Sequence, residues 1–144
     1  MKHEVLIYNK TGRQAPRKFI ASVILKVLAF LKLKQPAELA VLIVGPGEIK
    51  RLNKVWRHKN ESADELSFGL NSRRMSGFAK GKPDVLNLGL IVLNDGKISK
   101  KEYLSRLLTH SLLHLLGYHH EKAAAQAKKM ERLEEKILNQ LKKL

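Results

Sequence analysis

Four of the six histidines in this chain lie in one short segment, at His110, His114, His119 and His120. His110 and His114 are four residues apart, so on a helix their rings project from one face and can reach one ion with bonds of about 2 Å. Gly117 can adopt a positive φ, which would end the helix and return the chain so that His120 approaches the same ion. The spacing therefore predicts a metal site at His110, His114 and His120, although His119 competes for the third place.

Three histidine ligands leave one coordination position for water, which is the arrangement of a catalytic rather than a structural zinc site. The chain has no cysteine, so a transition metal must be held by histidine and oxygen ligands. We expect one divalent ion, with zinc favoured, although three imidazoles also suit nickel, copper or iron.

The residue after the first histidine argues against peptide hydrolysis. Metalloproteases share this skeleton of three histidines and a glycine, but they need a glutamate directly after the first histidine as general base. This chain has Ser111 there, and a serine cannot accept a proton near neutral pH. The sequence therefore favours a different substrate.

The net charge points to a polyanion as that substrate. Lysine and arginine number 28 against 13 acidic residues, for a net charge of +15. Such an excess attracts RNA, DNA, ribosomes or anionic membranes, although a solvated basic surface without a partner has the same composition. The segment 71–82 could hold single-stranded RNA through phosphate pairing and base stacking by Arg73, Arg74, Phe78 and Lys80. It could equally be a disordered basic loop.

The elements that position the histidines follow the order β-α-β-α-β-β-α-α. Hydrophobic periodicity predicts strands at 4–8, 38–44, 63–70 and 85–94, and helices at 17–34, 48–59, 99–116 and 121–143. Ser99 is the expected N-cap of the third helix. This order predicts an α+β fold in which a small mixed sheet of about four strands packs with helices, as a single domain over residues 1–144.

The most apolar stretch is predicted to be a buried helix. Lys26 and Lys32 interrupt the segment 19–33 well short of the roughly 18 unbroken apolar residues of a membrane span. The N-terminus also lacks the apolar core and cleavage site of a signal peptide. We therefore expect a cytoplasmic protein without a membrane partner.

Two separated motifs carry a family resemblance. The C-terminal one is HSLLHLLGYHH at 110–120, and the upstream one is LNKVWR at 52–57 followed by ADELSF at 63–68. They resemble H-G-x-L-H-L-x-G-Y-D-H and L-N-x-x-y-R with T-D-V-L-S-F, the patterns of the bacterial YbeY family of endoribonucleases and rRNA maturation factors. The trailing MERLEEKIL also looks like the final helix of that family, so the resemblance spans nearly the whole chain.

The resemblance implies a compact α+β fold, three histidines on one metal ion, and action on ribosomal RNA. The implied reaction is maturation of the 3′ end of 16S rRNA, with the small ribosomal subunit as partner. It also implies that Arg57 is the functionally important arginine of the family. As a hypothesis, Arg57 would clamp the scissile phosphate and stabilise charge that accumulates in the transition state. Without the motif, Arg57 would read as one solvated residue of a basic run.

Several positions depart from the family patterns. Histidine replaces an aspartate at 119, alanine a threonine at 63, glutamate a valine at 65, leucine an acidic residue at 90, and serine a glycine at 111. Losing two carboxylates near a metal removes groups that could orient a ligand or accept a proton. Asp64, Ser67 and His119 are the remaining candidates for such support, although Asp64 could instead cap a turn or orient Arg57, and Ser67 could be satisfied locally.

The sequence as a whole favours a zinc-dependent, single-strand-specific endoribonuclease of rRNA maturation. One alternative is a non-catalytic RNA-binding factor of ribosome assembly that keeps the metal for structure, and the missing carboxylates favour it. The other is a metal hydrolase of a non-nucleic substrate, which the charge of +15 argues against. The oligomeric state stays open.

Overall fold

The fold follows the predicted order of elements. In this computed structural model, residues 2–69, 84–118 and 124–143 are described. The strands are β1 (Glu4–Asn9), β2 (Ala37–Val44), β3 (Glu65–Phe68) and β4 (Leu86–Asn94), and the helices are α1 (Arg17–Phe30), α2 (Pro46–Arg57), α3 (Lys101–Leu115) and α4 (Ala124–Lys142). Within these ranges no helix is both long and apolar enough to cross a bilayer.

The four strands form one mixed sheet in the order β1-β2-β4-β3. β2 pairs in parallel with β1 and with β4, whereas β3 pairs antiparallel with β4. The predicted α+β fold with a small mixed sheet is thus confirmed. β3 is an edge strand, and its four residues Glu65–Phe68 border the helix that carries the histidines.

Helices cover both faces of the sheet. Alternate residues of β2 point in opposite directions, so Leu39, Val41 and Ile43 join the core formed with α1, α3 and α4. Val44 instead joins a smaller cluster with Ile49 of α2, because side-chain direction alternates along a strand. α3, which carries His110 and His114, and α2, which carries Arg57, therefore lie on opposite faces of the sheet.

Several helix boundaries differ from the sequence prediction. α2 runs over Pro46–Arg57 rather than 48–59, and His58 after it adopts a left-handed φ of 60°. α1 ends at Phe30 rather than near Lys34, because Lys32 adopts a left-handed φ of 52° that no helix can continue. The N-cap of α3 is Lys100 rather than Ser99, and its side chain makes no capping hydrogen bond. These changes leave His110 and His114 on α3.

Gly89 allows β3 and β4 to approach each other. Its φ is +115°, and a Cβ there would lie 2.1 Å from the carbonyl oxygen of Phe68. The β2–β4 register also shifts between Glu38 and Leu39, opposite this glycine. Only a residue without a side chain fits a bulge with the neighbouring backbone this close.

Candidate metal centre

His110 and His114 form a close pair on α3. Their Nε2 atoms are 3.1 Å apart, and the rings meet edge to face with centroids 4.6 Å apart. Two imidazole nitrogens bound to one tetrahedral zinc ion are about 3.3 Å apart, since each bond is about 2.05 Å. The donor atoms and their separation thus fit a shared metal ion.

The chain leaves α3 by the turn that the glycine predicts. Gly117 has a φ of +99°, its N–H donates to the carbonyl of His114 at 3.0 Å, and the N–H of Tyr118 donates to Leu113 at 2.9 Å. These bonds satisfy the last carbonyls of the helix and redirect the chain.

The third predicted ligand lies beyond this turn. His120 and its competitor His119 are both outside the described residues. Across 2–69, 84–118 and 124–143, no three histidine, aspartate or glutamate side chains form a metal-binding group. The assignment of His120 therefore stays a prediction.

The carboxylate of Glu134 on α4 forms a hydrogen bond with Nδ1 of His110, the ring nitrogen that does not face His114. The Nδ1 of His110 lies 2.6 Å from the Glu134 Oε1, and the His110 and Glu134 side chains are only 31% and 15% exposed. An ionised carboxylate can only accept a hydrogen bond, so Nδ1 carries the proton and donates it. The opposite nitrogen, Nε2, is the atom directed towards His114.

This contact sets the acid–base behaviour of His110. The hydrogen bond to Glu134 raises the pKa of His110, and burial opposes it by disfavouring the charged ring. The negative charges of Glu134 and Glu65 raise the same pKa further. A more basic imidazole is a better electron donor to a metal.

Glu65 supplies a second carboxylate to the same region. Its Oε2 accepts a hydrogen bond of 2.6 Å from the hydroxyl of Ser111, and Ser111 is fully buried. Both residues depart from the family patterns, and they contact each other although 46 residues separate them. The site therefore has acidic groups at Glu65 and Glu134, even though the family carboxylates at positions 90 and 119 are absent.

Asp64 directly precedes β3, and Ser67 lies within this strand. The hydroxyl of Tyr103 on α3 donates to the Asp64 Oδ2, and this bond raises the pKa of Tyr103. Burial of the phenol and the negative charges of Asp64 and Glu65 raise it further. Asp64 thus ties β3 to α3 and makes no ion pair with Arg57. Ser67 is half-buried and shares a strand face with Glu65, so a role at the metal stays a prediction for both.

Arg57 is the last residue of α2, and its side chain is exposed. Among the described residues it makes no hydrogen bond or ion pair, and no bond joins it to His110 or His114. The motif asparagine, Asn53, is buried and donates to the carbonyl of Glu61 at 2.9 Å. The LNKVWR motif thus fixes the turn that follows Arg57, while Arg57 itself faces solvent.

The predicted RNA-binding residues belong to the basic segment 71–82. Arg73, Arg74, Phe78 and Lys80 all lie outside the described residues. Their role stays a prediction from the sequence.

Glu134 is the site residue that sequence reasoning missed. It lies four residues after Met130 and four before Leu138, both of which are buried, so it occupies the core-facing stripe of α4. An acidic side chain in an apolar stripe needs a partner, because burying an unpaired charge is costly. An acidic residue within the apolar stripe of α4 is therefore the sequence signal that could have identified Glu134.

Comparison with known proteins gives a consistent result. The family model described as endoribonuclease YbeY matches residues 6–142. An endoribonuclease YbeY from Thermodesulfovibrio yellowstonii is 37% identical over 161 residues and covers 96% of both chains. One from Syntrophomonas wolfei is 33% identical over 153 residues, covering 96% of this chain and 97% of its own.

A solved structure has the same fold. The solution structure of TM1509 from Thermotoga maritima matches with a TM-score of 0.56 and 22% sequence identity. The match covers 93% of this chain and 86% of the other.

Proposed function

Because the chain belongs to the YbeY endoribonuclease family, we propose that it cleaves single-stranded ribosomal RNA at a zinc centre held by His110, His114 and His120. Its substrate would be the 3′ end of 16S rRNA, and its partner the small ribosomal subunit in the cytoplasm. The observation that carries the proposal is the 3.1 Å separation of the His110 and His114 Nε2 atoms.

The residues around His110 and His114 favour a metal-binding role for this pair over a purely structural role. Nδ1 of His110 is engaged by Glu134, which leaves Nε2 as the nitrogen that faces His114. His110, His114 and His120 would hold a divalent ion there, and such an ion would supply a nucleophile for phosphodiester hydrolysis at neutral pH. The buried hydrophobic residues of α3, Leu108, Leu112 and Leu113, keep the helix fixed against the core.

An exposed surface of α2 supports RNA as the substrate. Lys50, Lys54 and Arg57 recur at helical spacing and so share one face, and all three side chains are exposed. Trp56, on a different side of the same helix, is 37% exposed. Exposed cations that pair with phosphates, together with an exposed indole that stacks with bases, are typical of single-strand binding.

The RNA would cross the edge strand β3 to meet both parts of the site. α2 and α3 lie on opposite faces of the sheet, and β3 is the strand at that edge. A strand of RNA that passes over β3 would contact Arg57 on one side and the histidine pair on the other. Arg57 would then bind the scissile phosphate through two parallel N–H bonds and stabilise its developing charge.

Cleavage of a precursor 16S rRNA fragment tests the proposal. The fragment is incubated with the purified protein, with the protein plus a chelator, and with His114→Ala, and the zinc content of each sample is measured. We expect cleavage at single-stranded positions only in the first reaction, and its recovery when zinc replaces the chelator. Equal cleavage in all three reactions would show that the site is not responsible.

The same experiment separates the two rival functions. RNA binding that survives chelation without any cleavage would indicate an assembly factor with a structural metal. Hydrolysis of a small ester together with no RNA affinity at low salt would indicate a hydrolase of another substrate class.

A further inference from the structure

The contact between Glu134 of α4 and His110 of the histidine pair indicates a role for α4 beyond packing. Two glutamates follow each other on α4, and they have different environments. Glu134 is 15% exposed and bonds to His110, whereas Glu135 is 59% exposed and pairs with Arg106 at 3.2 Å. Only the first of them contacts the candidate metal centre.

We propose that Glu134 is a positioning residue that fixes His110 in the Nδ1–H tautomer and aims its Nε2 at the metal. This inference rests on the proposed function, because it assigns the metal to the nitrogen that faces His114. Glu134 would not itself bind the ion, because it contacts Nδ1, and Nδ1 and Nε2 lie on different edges of the ring.

The tautomer follows from the chemistry of the two partners. A neutral imidazole has one N–H and one lone pair, and a carboxylate accepts but does not donate. The 2.6 Å contact therefore keeps the hydrogen on Nδ1 of His110 and the lone pair on Nε2. A lone pair on Nε2 is what an ion shared with His114 requires, and a carboxylate behind the ring also makes the ligand more basic.

The position of Glu134 also links the metal to the C-terminal helix. Met130, Ile137 and Leu138 are buried on the same helix as Glu134. Their packing holds the carboxylate at a fixed distance from α3. The ring of His110 would thereby be oriented before an ion arrives, which reduces the entropy lost on binding.

The test compares neighbouring substitutions in the full chain. The variants are Glu134→Ala, Glu134→Gln and, as the matched control, Glu135→Gln. Zinc affinity is measured by competition with a chromophoric chelator. The tautomer of His110 is read from ¹⁵N chemical shifts of the metal-free protein at a pH where the ring is neutral, and thermal unfolding of each metal-free variant reports folding.

We expect Glu134→Ala to bind zinc about 10- to 100-fold more weakly and to lose the Nδ1–H tautomer. Glu134→Gln should fall between the alanine variant and the wild type, because its amide oxygen can still accept the bond without a charge. Glu135→Gln should match the wild type in both readings. A folded Glu134→Gln variant also guards against a general loss of structure in the alanine variant.

Two results would overturn the inference. One is a wild-type protein whose neutral His110 carries its hydrogen on Nε2, and the other is zinc affinity in Glu134→Ala equal to that of Glu135→Gln. A wild-type protein that binds no zinc but holds the Nδ1–H tautomer would count against the proposed function, while it would support the role of Glu134 in fixing the ring.

Discussion

The hydroxyl of Ser111 donates a 2.6 Å hydrogen bond to the carboxylate of Glu65, and this bond joins the histidine-bearing helix to the edge strand. Ser111 is fully buried directly after the first histidine. A buried hydroxyl needs a partner, and a charged acceptor makes the bond stronger than a neutral one. The contribution of Ser111 to stability therefore depends on Glu65, and that of Glu65 depends on Ser111.

A double-mutant cycle should measure that dependence. Ser111→Ala leaves the half-buried Glu65 without its donor and should lower the free energy of unfolding by about 1–3 kcal/mol. Glu65→Val should cost less, because the freed hydroxyl can turn back to a carbonyl of its own helix. Urea unfolding of the two single variants and the double variant should give a coupling of about 1 kcal/mol or more.

The exposed pair of Arg106 and Glu135 is the control for this cycle. Their side chains are 51% and 59% exposed, so the same cycle there should give a coupling of about 0.5 kcal/mol or less. Strict additivity at Ser111 and Glu65 would contradict a functional bond between them.

The sequence predicted most of the scaffold but only part of the site. Periodicity located strands β1 to β4 and helices α1 to α4 because elements such as α3 and β4 bury continuous apolar faces, although it did not predict the 3-10 helix at Asp95–Lys97. The spacing of His110 and His114 placed both rings together. By contrast, the bond of Ser111 to Glu65 spans 46 residues, and no local pattern records such a contact. The left-handed conformation of Lys32 was likewise not predictable from the sequence, because a lysine has no preference for that conformation.

Gly89 should be among the least replaceable residues for stability. Gly89→Ala would place a Cβ 2.1 Å from the carbonyl oxygen of Phe68, which neither strand can avoid without breaking their pairing. We expect a loss of about 3 kcal/mol or more in the free energy of unfolding. Gly12→Ala is the matched control, because Gly12 also has a positive φ, +73°, but has no atom within 4 Å of the added carbon. It should lose only about 1 kcal/mol from backbone strain.

Chemical denaturation of the two glycine variants checks this difference. If Gly89→Ala unfolded at the same urea concentration as Gly12→Ala, the close approach of β3 and β4 would not be required for stability.

Arg57 should act on the reaction rather than on metal binding. Arg57→Lys keeps the charge but loses the planar fork that binds two phosphate oxygens, so a conservative change should still be harmful. We expect kcat for RNA cleavage to fall about 100-fold with zinc content unchanged. Arg51→Lys on the same helix is the control, since Arg51 is already paired with Glu48 at 2.5 Å. Single-turnover cleavage with saturating zinc measures both variants, and equal rates would remove Arg57 from the proposed mechanism.

Trp56 should contribute to RNA affinity through stacking. Its indole is 37% exposed near the end of α2, the helix that also carries the exposed cations Lys54 and Arg57. Stacking of a base on an aromatic ring contributes about 1–3 kcal/mol, so Trp56→Ala should weaken binding of a single-stranded RNA by roughly 5- to 150-fold. Val55→Ala removes a neighbouring side chain that is 51% exposed and cannot stack with a base, so this variant should bind RNA as the wild type does.

Fluorescence anisotropy in a salt titration distinguishes base stacking from phosphate pairing. Loss of stacking in Trp56→Ala should leave the slope of affinity against salt unchanged, whereas loss of a phosphate contact in Lys54→Ala should reduce that slope. Equal affinities of Trp56→Ala and Val55→Ala would exclude α2 as the surface that stacks with RNA bases.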